Sequence, residues 1–271
     1  MVWGLQAFKD WRRERIVGRV RIDERLWRSA LERFEFLHAL DPAERARLKR
    51  TVALFLHDKS IAGAAGLELS EAMRLRIAVQ ACILILNLDI DYYAGWNEII
   101  LYPDEFVPQH EYADEDGIVH VVREPHAGEA WLRGPVILSW ADVAEDYGDD
   151  GVNVVIHEFA HKLDMLNGDA NGFPPLHREM NRAAWAKVFS TAYQDFCARV
   201  DADEDTEIDP YAAESPGEFF AVMSEAFFQI PAVVRLVYPE VYAQLAQFYR
   251  QDPLARSAPP APKSGYIAKW R

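Results

Sequence analysis

Two cysteines, Cys82 and Cys197, are all that this 271-residue chain contains. That is too few for a disulfide framework. Each sits in an apolar or helical stretch, where a reduced, buried thiol is the expected state. Long hydrophobic runs are missing too. The longest, Ile77 to Leu88, is interrupted by Gln80 and falls well short of the roughly 20 residues that span a bilayer, so no membrane partner is expected. Met1-Val2-Trp3-Gly4-Leu5 opens no secretory apolar core and is followed by alternating arginines and acids, which points to a cytoplasmic location. A glycine-rich phosphate loop and a Gly-x-Ser-x-Gly elbow are both lacking, which leaves nucleotide and serine-hydrolase chemistry without support.

Positive charge is scarce: 29 Lys and Arg face 43 Asp and Glu, for a net charge of −14. The imbalance is uneven. Residues 1–60 hold 14 basic and 9 acidic side chains, a net of +5, so the remainder carries −19. An acidic body argues against nucleic acid as the main partner. Seven arginines between Arg12 and Arg28 either form a patch for an acidic partner or lie on a solvated helix face beside Glu14, Asp23 and Glu24; the solvated face is the expected case.

What is present suits a folded globule, with half the residues apolar and 12% aromatic. Asp41-Pro42-Ala43-Glu44 reads as a capped helix start, with the helix running to about His57. Ser70 and Glu71 open another helix towards Leu86. The period then changes: Ile99 to Tyr102 and Val119 to Val122 read as strands, and Trp131 to Trp140 as a sheet edge or bend at Gly134-Pro135. Helical periodicity returns after Asp149-Asp150-Gly151, over Val152–Leu166 up to Asn167-Gly168, over Leu176–Val200, and from Ser215-Pro216 to Gln229. Helices, then strands, then helices make an α+β pattern in which the sheet precedes the motif described next.

Residues 157–161 read His-Glu-Phe-Ala-His. On a helix, positions i and i+4 share a face, so both imidazoles can reach one ion. Glu158, about 100° round the helix, can act on water without being a ligand. The surroundings (Val152, Val154, Val155, Ile156, Phe159, Ala160, Leu163) are apolar, where three ionisable groups are costly without a function. A third ligand is required. A class with its third histidine six residues after the second is excluded by Asn167. Glu179, Glu214, Glu218 and Glu225 remain open, with Glu218 ahead of Glu225. Asp164 is either a hydrogen-bond partner of a ligand imidazole or a last-turn acid.

The run His157 to Asp164, followed by Asn167-Gly168, resembles the Mlc titration factor A family. So do Asp209-Pro210-Tyr211-Ala212-Ala213, Glu218-Phe219-Phe220-Ala221-Val222 with Ser224-Glu225, and Trp96-Asn97-Glu98-Ile99-Ile100-Leu101-Tyr102-Pro103. The resemblance implies a gluzincin-type zinc peptidase that also acts as an anti-repressor of a sugar-uptake regulator. It implies His157, His161 and Glu218 as ligands of one Zn²⁺, Glu158 as catalytic base, and Tyr211 as a phenol at the metal; Glu225 then reads as an acid that supports a ligand from behind or packs the helix, outside the ligand and catalytic set. The implied architecture is a zincin-like catalytic domain over residues 91–250 with a helical N-terminal region over 1–90 packed on it. The tail over 251–271 is read from its composition instead: Pro253, Pro259, Pro260 and Pro262 predict an extended or loosely docked segment. The implied activity is aminopeptidase action on short peptides, with a transcriptional repressor as a second partner. The alternative is a repressor-sequestering protein with weak or vestigial peptidase activity.

Overall fold

The computed structural model describes residues 2–104, 110–113, 119–122, 128–130, 134–145 and 151–257. Helices α1 (Val2–Val17), α2 (Glu24–Arg33), α3 (Glu35–His38) and α4 (Pro42–Asp58) open the chain, followed by strand β1 (Ser60–Gly63) and helix α5 (Glu71–Leu84). Strands β2 (Glu98–Tyr102), β3 (His110–Ala113), β4 (Val119–Val122), β5 (Gly128–Ala130) and β6 (Val136–Ser139) come next. The rest is helical: α6 (Trp140–Ala144), α7 (Val154–Asp164), α8 (Arg182–Asp201), α9 (Pro216–Gln229), α10 (Pro231–Val237), α11 (Pro239–Tyr249) and α12 (Pro253–Ser257). The α+β character expected from the sequence is therefore observed.

Local chemistry sets several of these boundaries. Asp41 and Glu44 form a complete capping box at the start of α4, with Pro42 in its first turn. Ser70 caps α5. Other expectations are corrected. Residues 176–181 are not helical, because the Asn181 side chain caps α8 at Ala183 and Ala184. Residues 165–167 leave the α-helical path for a 3₁₀ turn after Asp164. Strand β1 falls inside the region read as purely helical; Ser-Ile-Ala-Gly is too short to show a period. Pro253–Ser257 is helical rather than extended. Pro259, Pro260, Pro262, Trp131 and Asp149-Asp150 lie outside the described residues.

The main sheet has the order β1-β2-β6-β5. β1, β2 and β6 are parallel, with Ile61 beside Ile99 and Ile99 beside Val136, and β5 runs antiparallel to β6 at the edge. Parallel neighbours need a crossover, which α5 supplies between β1 and β2. β3 and β4 pair separately as an antiparallel ribbon. Ile99, Leu101, Val136 and Leu138 are fully buried, so the sheet contributes to a hydrophobic cluster that extends from Trp27 to Tyr249. No helix among the described residues is long and apolar enough to cross a membrane.

Helix α7 is set into this core. Phe159 is fully buried, with ring centroids 5.1 Å from Tyr93, 5.6 Å from Phe55 and 5.7 Å from Trp96. Lys59, itself buried, donates to the Trp96 carbonyl at 2.5 Å and to the Tyr93 carbonyl, and lies 3.9 Å from the Trp96 ring centroid. This cluster packs against the middle of α7. Truncation of Phe159 removes three aromatic partners at once. Phe159→Ala is expected to destabilise the protein by about 3–5 kcal/mol, measured by urea unfolding in the presence of a chelator.

Candidate metal centre

Helix α7 starts at Asn153, whose side-chain oxygen accepts from the Ile156 amide at 2.9 Å. From there the helical period stacks His157 and His161 on one face. Helix α9 starts at Ser215, whose hydroxyl accepts from the Glu218 amide at 3.1 Å, with Pro216 in the first turn. The Ser215-x-x-Glu218 spacing suits a capping box. Only its serine half forms, because the Glu218 carboxylate turns to the histidines instead.

The convergence is tight. His157 Nε2 lies 2.9 Å from Glu218 Oε2, His161 Nε2 lies 3.2 Å from the same oxygen, and the two Nε2 atoms are 3.1 Å apart. Among the described residues, this trio is the group of side chains whose donor atoms can hold a metal ion. A tetrahedral cation bound at about 2.0–2.2 Å spaces its ligand atoms by roughly 3.3 Å, so the trio fits. Lone pairs facing each other this closely in a buried site are stable only around a cation or shared protons.

Glu225 completes the arrangement. Its Oε1 lies 2.7 Å from His157 Nδ1, and its other oxygen accepts from the Asn153 amide. The Asn153 side chain donates in turn to Gln80 at 2.7 Å. A carboxylate on Nδ1 places the ring proton there and leaves the Nε2 lone pair facing the centre. The sequence reading left Glu225 outside the site. Its seven-residue spacing from Glu218 puts both on one face of α9, and of the two roles expected for it, supporting a ligand rather than only packing the helix is the one observed.

Electrostatics follow from this crowding. Burial disfavours a charged His157, yet the Glu225 charge and the hydrogen bonds to Glu218 and Glu225 outweigh it and hold the imidazole pKa well above its usual value. Burial also opposes ionised Glu218, but its bonds to His157 and His161 keep it well below the carboxylate range. Glu158 differs. It is 4% exposed, and burial pushes its pKa up to about 7, against the pull of His157 and His161. Its Oε2 has no hydrogen-bond partner.

The rest of the pocket is built by neighbours. Gly128 on β5 lies against Glu158; any Cβ there would overlap the carboxylate. Nothing in the local sequence marked that glycine. Tyr211 follows Asp209, which accepts from the Tyr211 amide at 2.9 Å. Its ring centroid is 6.0 Å from that of His157 and it is 49% exposed. Burial and the Glu218 and Glu158 charges push its phenol up to about 12, so it remains a donor. Together with Met165 and Ala170 these groups enclose about 170 Å³.

The other acids fall elsewhere. Asp164 is fully buried, but its carboxylate accepts from the Gly172 amide at 2.6 Å and fixes the loop after α7; no bond to a ligand imidazole is found. Glu179 pairs with Arg250 at 2.5 Å on the surface. Glu214 ends the Pro210–Ala213 turn. Of the four open candidates, Glu218 is the one whose carboxylate meets both histidines.

Two imidazoles and a carboxylate converging on one point, with an unpartnered glutamate beside them, define a candidate centre for one divalent cation. The chain belongs to the family described as glucose-regulated metallo-peptidase M90, whose model matches residues 8–250. It is 39% identical over 233 residues to Mlc titration factor A of Serratia proteamaculans, covering 85% of this chain and 88% of the relative. It is likewise 39% identical over 235 residues to Mlc titration factor A of Escherichia fergusonii, covering 85% and 87%. To that of Klebsiella pneumoniae it is 37% identical over 232 residues, again covering 85% and 87%.

The raised pKa of Glu158 makes a signed prediction for the metal-free protein. A carboxyl whose folded pKa exceeds its unfolded value binds its proton more tightly when folded, so its contribution to stability declines as pH rises from about 4.5 to about 7 and then levels. Glu158→Gln lacks that decline. Urea unfolding with chelator should show the variant gaining roughly 3 kcal/mol on the wild type across this window. A constant difference between pH 4.5 and 8 would contradict the assignment.

Proposed function

We propose that the chain is a zinc-dependent metallopeptidase, with His157, His161 and Glu218 as the ligands of one Zn²⁺. The observation that supports this reading most strongly is the convergence of those three side chains on one point, 2.9–3.2 Å apart, beside a buried carboxylate without a partner. Two imidazoles and a carboxylate are a donor set suited to zinc. Bound there, the ion supplies Lewis acidity that polarises a scissile carbonyl and acidifies water.

The protein's own groups supply the proton chemistry and the positioning. Glu158, poised near neutrality by burial, takes the proton of the attacking water and passes it to the leaving amine. Gly128 leaves the space beside that carboxylate free of any side chain. Tyr211, protonated at working pH, donates to the oxyanion that forms on the carbonyl oxygen. Glu225 fixes the tautomer and the plane of His157. Short peptides cleaved from their amino ends, in the cytoplasm, are the proposed substrates and setting.

A second reading rests on the relatives' printed name, titration factor of Mlc. In this reading the chain also binds a transcriptional repressor and lowers its free concentration, with peptide hydrolysis secondary. The two are compatible in one chain. Variants separate them and test the site. Glu158→Gln should retain one zinc per chain by elemental analysis and lose peptide hydrolysis by at least a hundredfold. Glu218→Ala should lose the metal, while Glu225→Ala should weaken zinc affinity by about 10–100-fold. Hydrolysis unchanged in Glu158→Gln would sink the mechanism. Intact repressor binding by that inactive variant, measured by calorimetry, would support the dual role.

A further inference from the structure

The pocket at the metal centre does not end at Met165. That side chain also walls a second pocket of about 400 Å³, which Ala94, Trp96, Lys162, Leu166 and Asn167 line with it. The two pockets therefore adjoin, with Met165 as their common wall. It is also the larger of the two and falls in the range of ligand pockets, roughly 300–1,000 Å³.

Its walls favour apolar contents. Leu166, in the 3₁₀ turn after α7, is 40% exposed and stands among the few large apolar side chains left open to solvent. Trp96 is held in place by the aromatic cluster around Phe159 and by Lys59. Lys162 is the cation among the lining residues. Its ammonium donates to the Gly134 carbonyl at 2.9 Å and lies 4.8 Å from the Trp96 ring centroid, so the fold already uses it. Gly95 and Gly168 have φ of +93° and +147°, and a Cβ at either would point into open space. The rim is therefore built of residues that leave the mouth unobstructed.

We propose that this pocket is the side-chain subsite of the metal centre, taking a large apolar side chain, aromatic or leucine-like, next to the scissile bond of a peptide. The assignment rests on the peptidase reading. Burying such a side chain is worth about ten- to a hundredfold in affinity, enough to set the substrate preference.

The test uses the zinc-loaded full chain and tripeptides in which one residue flanking the scissile bond is Ala, Phe or Glu. Wild type should prefer Phe to Ala by tenfold or more in kcat/KM. Leu166→Asp, which puts a carboxylate on the rim, and Ala94→Trp, which fills the cavity, should each reduce that ratio at least tenfold. Calorimetric binding of the same peptides to Glu158→Gln protein, with and without each change, should lose the Phe preference in parallel. An unmoved Phe-to-Ala ratio in both variants, an equal drop for all peptides, or a wild-type preference for Glu would overturn the proposal. Failure of the zinc-loaded wild type to hydrolyse any peptide is a different result. It would remove the peptidase reading, and the subsite with it.

Discussion

The His157 imidazole is gripped on both nitrogens by carboxylates of a single helix, Glu225 on Nδ1 at 2.7 Å and Glu218 on Nε2 at 2.9 Å. Two turns of α9 separate the two acids, which is the spacing needed to straddle one ring on the neighbouring helix. His161 then meets Glu218 from the next turn of α7. The centre is therefore a property of how α7 and α9 pack, and anything that shifts one against the other disperses it. The fold guards that packing from both sides. Phe159 fastens α7 into the aromatic cluster of Phe55, Tyr93 and Trp96. Phe219, Phe220, Phe227 and Phe228, all buried, fasten α9 against α8 and α11.

Such an arrangement is held against its own electrostatics. Glu158, Glu218 and Glu225 crowd two imidazoles in a place where burial disfavours charge. The strain shows in opposite directions: Glu218 is driven far down by its bonds to the histidines, while Glu158 is driven up to about 7. A pair of acids pushed apart in this way suits a division of labour, one as a permanent anion beside the metal and one as an exchangeable base. Glu158 Oε2 and His161 Nδ1, both buried on α7, have no hydrogen-bond partner. Unpaired polar atoms concentrated on a single buried helix indicate function more readily than stability.

Much of this was legible in the sequence because it depends on short-range periodicity. The i, i+4 pair on a buried helix and the Asp41 and Ser70 caps were readable from a few residues each, as was the Ser215-Pro216 helix start. The third side chain at the centre was legible in part, since Glu218 led on spacing and the family resemblance implied it. Spacing by itself left four glutamates open, and the tertiary contact between α7 and α9 is what physically separates Glu218 from Glu179, which lies on the surface with Arg250. Glu225 was left between supporting a ligand and packing the helix for the same reason: a seven-residue spacing says that two acids share a face, not what that face meets. Gly128 was invisible, since its importance lies in the Glu158 side chain brought against it from far along the chain. Strand β1 was hidden by its brevity. The 3₁₀ turn after Asp164 was read as a continuing helix because Met165 and Leu166 keep the apolar pattern.

The chain belongs to a family described as metallo-peptidases, and the geometry of the candidate centre suits that description at the level of atoms. The central claim is that one zinc ion is held by three named atoms with a position left open for chemistry. Anomalous scattering from crystals of the zinc-loaded chain, collected on either side of the zinc edge, measures this directly. The expected result is a single peak within about 2.0–2.2 Å of His157 Nε2, His161 Nε2 and a Glu218 carboxylate oxygen, with Glu158 uncoordinated. A peak elsewhere, or one at which Glu158 closes the coordination shell, would contradict the account.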